Sequence, residues 1–178
     1  MKQSRLLVSE NRTFAIMNVL IMPAMVNILI ACTLANLLFP PGAAIFLWGP
    51  SSMIVDLLIS SFMASLITGI IGFYTTLASC NNGQLTLPDA KYPSGRTAKF
   101  SSKPWRSNLF FALLALILTS IILAVFVLSY EQETISWVSF LWVKSIQALL
   151  VSMYASLAGT LLAIRYFQRR QEATESCA

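Results

Sequence analysis

Four apolar stretches, 14–39, 51–78, 107–130 and 135–164, dominate this chain of 178 residues. A helix rises 1.5 Å per residue, so about 20 apolar residues cross the roughly 30 Å hydrocarbon core of a bilayer. Inside lipid the backbone must satisfy its own polar groups, and an isolated apolar segment does so only as a helix. The expected fold is therefore an all-α membrane protein, a four-transmembrane-helix bundle, with 1–178 as a single membrane domain. Apolar residues make up 57% of the chain and charged residues 11%, a balance that excludes a soluble domain.

The segment 1–12 is basic and the run after it apolar, which is how a secretory signal begins, and Leu29-Ile30-Ala31-Cys32 looks like a lipoprotein cleavage box. The apolar run continues through Phe39, longer than a signal's core, so it is read as a span.

The net charge of +5 is spread along the chain. Lys and Arg flank the apolar segments and form no patch with interleaved aromatics, so no nucleic-acid partner is expected. There is no histidine, and Cys32, Cys80 and Cys177 have no metal-like spacing. With no visible nucleophile–base pair either, neither an enzyme nor a metal or other cofactor is expected. The implied partner is the lipid bilayer, with another membrane protein or a second copy of the chain as further candidates.

Charge orients the bundle. Lys2, Arg5 and Arg12 precede the first span, and 40–50 is uncharged. Lys91, Arg96, Lys99, Lys103 and Arg106 lie between the second and third spans, Glu131 and Glu133 follow the third, and Arg165, Arg169 and Arg170 follow the fourth. The bias of Lys and Arg toward the cytoplasm then places both termini and the loop 79–106 inside, with 40–50 and 130–134 outside. Trp48, Trp137 and Trp142 fall near the outer boundary and Trp105 near the inner one, as interfacial anchors do. Loop 79–106 is rich in turn formers, among them Asn81-Asn82-Gly83 and Pro93-Ser94-Gly95, and reads as an irregular connector. Its basic side chains suit anionic headgroups or a docking partner.

Asp56 and Lys144 are the ionisable residues inside the spans. A charge in hydrocarbon is expensive enough to mark a functional site by default. Counted inward from the outer ends, they lie roughly 8 and 14 Å deep, so they are able to pair, although Glu131 and Glu133 are rivals for the lysine. In the alternative, Asp56 caps its helix and Lys144 snorkels to the surface. A third reading makes them a proton or substrate site.

Asn18, Asn27 and Asn36 recur every nine residues in the first span, which turns Asn27 away from the other two. Asn27 is the expected interhelical hydrogen bonder, or a substrate contact. Pro23 withholds a bond from the carbonyl of Val19 and should break the helix there. Ser61, Ser65 and Gly69 in the second span, and Ala155, Gly159 and Ala163 in the fourth, recur every four residues, with Ser152, Ser156 and Thr160 beside the latter. Small residues at this spacing allow close helix contact, either between these two spans or across a homo-oligomer seam. The third span, with only Thr119 and Ser120 polar over 109–128, should face lipid.

The segments Asn27-Ile28-Leu29-Ile30, Leu47-Trp48-Gly49 and Ser52-Met53-Ile54-Val55-Asp56-Leu57-Leu58 resemble small uncharacterised bacterial inner-membrane proteins with four spans. The resemblance covers about the first 70 residues and implies a bacterial inner (plasma) membrane location. It draws interest to Asn27 and Asp56 without giving either a role. Two functional classes remain. One is a small transporter or transporter subunit with Asp56, Lys144 and Asn27 at its site. The other is a non-catalytic accessory, assembly or immunity-type protein acting through helix–helix contacts.

Overall fold

The computed structural model describes residues 15–49, 52–85, 104–129 and 132–175. Within them four helices are long and apolar enough to cross a membrane. The N-terminal basic residues, most of the loop 79–106, Glu131 and Cys177 lie outside the described residues.

The first span opens as a π-helical stretch, Ala15–Ile21, and runs on as α1, Met22–Leu38, with Pro23 in its first turn. The break expected at Pro23 takes the form of a change of helix type: where proline has no N–H to give, the preceding turns are wider. A short strand β1, Ala44–Phe46, leads to α2, Met53–Asn81. Then come α3, Pro104–Ser129, a second strand β2, Thr134–Ser136, and α4, Trp137–Glu175. The last helix passes well beyond 164 because no Gly or Pro interrupts 165–175. Its 39 residues measure about 58 Å.

β1 and β2 pair antiparallel, with Ile45 opposite Ile135. The connections α1–α2 and α3–α4 therefore meet at one end of the bundle. Ile45 and Ile135 point into a cluster with Ala35, Leu47, Met53, Leu57, Leu123 and Phe140, which closes that end with apolar side chains. Phe39 stands edge-on to Phe140 at 5.0 Å.

The helices of one hairpin touch each other little. Instead α2 and α4 share the largest interface, α3 packs on α2, and α1 packs on α4. Each hairpin thus lays its first helix on the second helix of the other. The outer helices expose apolar side chains such as Leu29 and Leu37 of α1 and Ile122 and Leu128 of α3, as a lipid-facing surface would.

Candidate functional site

Lys144 donates from Nζ to Oδ2 of Asp56, tying α4 to α2 just beneath the strand end. The two side chains meet because the connections differ in length. Residues 47–52 separate β1 from α2, whereas α4 begins directly after β2. Asp56 consequently sits in the first turn of α2, and Lys144, two turns into α4, lies level with it. The lysine head also lies 5.5 Å from the centroid of the Phe140 ring, whose electron-rich face attracts a cation.

The burial of the pair is unequal. Lys144 is 1% exposed and Asp56 12%. Lys144 therefore does not snorkel, and Asp56 is not the cap of α2: the Ser52 hydroxyl holds that position, accepting from the Val55 N–H at 3.5 Å. The carboxylate gains instead from the positive end of the α2 dipole and from the ammonium. Glu133, the described rival for the lysine, is exposed at the surface.

Below the pair, polar side chains continue along the α2–α4 seam. Gln147, one turn on from Lys144, donates from Nε2 to the Leu57 carbonyl at 2.5 Å and also to Ser61 Oγ. Ser61 in turn shares a hydrogen bond of 2.9 Å with Thr119 of α3. Asn27 of α1 faces inward and donates to Thr68 Oγ1 and Ser152 Oγ, each at 2.7 Å, so one amide joins three helices. Asn18 and Asn36, on the opposite face, are exposed. Cys32 Sγ and Ser145 Oγ are 3.5 Å apart, and Thr76 meets Thr160 at 3.2 Å.

The small residues lie in the same seam. Ser61, Ser65, Gly69, Ala155, Gly159 and Ala163 are all buried within the chain. A Cβ on Gly159 would collide with the Gly69 carbonyl oxygen and come within 3.0 Å of the Phe73 nitrogen. Backbone thus touches backbone where α2 and α4 cross, a contact made inside one copy of the chain.

The structure brings Asp56 and Lys144 together and places Asn27 in a separate layer of the seam, with Gln147 between them. Sequence reasoning passed over Gln147 and Thr68. Gln147 was accessible to it, since it follows Lys144 by three residues and so shares its face. No protein-family model, curated protein or solved structure matches the chain.

Proposed function

We propose that this chain is a small transporter, or the membrane subunit of one, of the bacterial inner membrane, with both termini in the cytoplasm and the Asp56–Lys144 pair as its ion-responsive site. The observation that carries this reading is the unequal burial of the pair. A carboxylate at 12% exposure holds an ammonium at 1%, so a proton or cation arriving at the strand end meets the acid first and competes with the lysine for it. Loss of that bond would leave an unpaired ammonium in a low-dielectric interior, a state that favours rearrangement of α4 against α2. The competing accessory reading relied on small-residue faces for partner contacts, and these faces are already used between α2 and α4.

Solvent access tests the proposal. In a chain whose native cysteines are replaced by serine, Asp56→Cys should react with a membrane-impermeant maleimide added outside intact cells, and Lys144→Cys should react far more slowly. Failure of Asp56→Cys to react from either side of the membrane, in protein confirmed to be folded, would sink the transport reading.

A further inference from the structure

Three buried polar oxygens near the Gly69–Gly72 stretch of α2 have no hydrogen-bond partner among the described residues: Ser65 Oγ, Asn108 Oδ1 and Ser156 Oγ. Their residues are 2%, 3% and 1% exposed, and they come from α2, α3 and α4 respectively. Asn108 Oδ1 lies 2.9 Å from where a Cβ on Gly69 would stand. Ser156 Oγ lies 3.4 Å from the corresponding point on Gly72, one turn along the same helix. Ser65 is one turn from Gly69 in the other direction, at the rim of this group.

Elsewhere in the bundle, hydroxyls without a neighbour bond back to the carbonyl four residues earlier, as Ser60, Ser120 and Ser129 do. That option is open to any helical serine, yet Ser65 and Ser156 leave it unused. Each orphaned group in a lipid-surrounded interior costs free energy that a fold does not leave uncompensated three times in one place.

We propose that Asn108 and Ser156, with Ser65 at the edge, form an internal water-binding site at the junction of α2, α3 and α4. A bound water donates to the Asn108 carbonyl oxygen and accepts from the Ser156 hydroxyl, and the small Gly69 and Gly72 leave room for both side chains. A neutral ligand suits the group better than a cation does. The three oxygens carry no formal charge, and the described residues contain no cluster of three or more acidic, thiol or imidazole groups to offset a metal ion. The site also explains why α3, apolar over most of its length, carries a buried asparagine. It stands independently of the transport reading, since it requires no flux.

The direction of a stability change separates bound water from orphaned oxygens. Removing a hydroxyl that truly lacks a partner relieves a penalty, whereas removing one that holds a water loses a bond. In the full-length chain, Ser156→Ala should lower the apparent unfolding temperature by about 2–4 °C. Ser65→Ala should lower it by less, and the double variant by less than the sum. An unchanged or raised value for Ser156→Ala would overturn the site.

Water-edited solid-state NMR of the wild-type protein, labelled at asparagine and alanine, in lipid provides a second readout that does not depend on any variant folding. Magnetisation should pass from water to the Asn108 side chain faster than to the buried Ala112 and Ala115 methyls. Equal rates would likewise reject the proposal.

Discussion

At the scale of single residues, the ion pair is governed by the difference in burial between its members. Replacing Asp56 by Asn strands an ammonium that is 1% exposed, while replacing Lys144 by Met leaves a carboxylate that is less enclosed, at 12%. Asp56→Asn should therefore cost about 3–5 kcal/mol, the range for breaking a buried pair, and Lys144→Met clearly less. The double neutral variant should recover most of the loss, because neither charge then remains to be solvated. Denaturant unfolding in mixed micelles measures all three, and equal costs for the two single variants would contradict the burial argument. The pair was legible in the sequence because a charge inside an apolar run is anomalous. Gln147 and Thr68 were not singled out, because uncharged polar residues are common in membrane helices and acquire meaning only from what stands opposite them.

At the scale of elements, α2 and α4 are held by glycine contacts as well as by polar bonds. A methyl on Gly159 meets backbone of α2, which cannot rotate away, whereas a methyl on Gly69 meets the end of the Asn108 side chain at 2.9 Å, which can. Gly159→Ala should consequently destabilise by several kcal/mol, in the manner of an overpacked core, and Gly69→Ala by distinctly less. Unfolding midpoints of the two variants decide the order, and the reverse ranking would mean that the helices do not cross as described. The four-residue spacing foretold a close approach of small residues but left the partner open, since an identical stripe serves a contact within a chain or between chains. Likewise Pro23 foretold an interrupted helix without saying that π-helical turns would absorb the interruption.

At the scale of the whole molecule, two helical hairpins interleave, joined at one end by the β1–β2 pair and along their length by the α2–α4 seam. Four passes put the first and last helical ends at the opposite end from the strands. The proposed cytoplasmic orientation predicts that green fluorescent protein fused after residue 178 fluoresces. Alkaline phosphatase should be inactive at that position and active when inserted at Gly42, in the loop between α1 and β1. The opposite pattern would invert the molecule in the membrane.

What the sequence determined by itself is the number and the rough extent of the helices, because hydrocarbon thickness and the backbone's need for internal hydrogen bonds act on each segment separately. It also marked Asp56, Lys144 and the small-residue stripes, because their costs or openings are local. Only the tertiary structure decided that hairpin partners separate, that α1 rides on α4 and α3 on α2, and that Asn27 joins three helices. Those outcomes depend on matching one surface to another across as many as 125 residues of chain, and no local pattern of apolar and polar residues encodes which surface that will be.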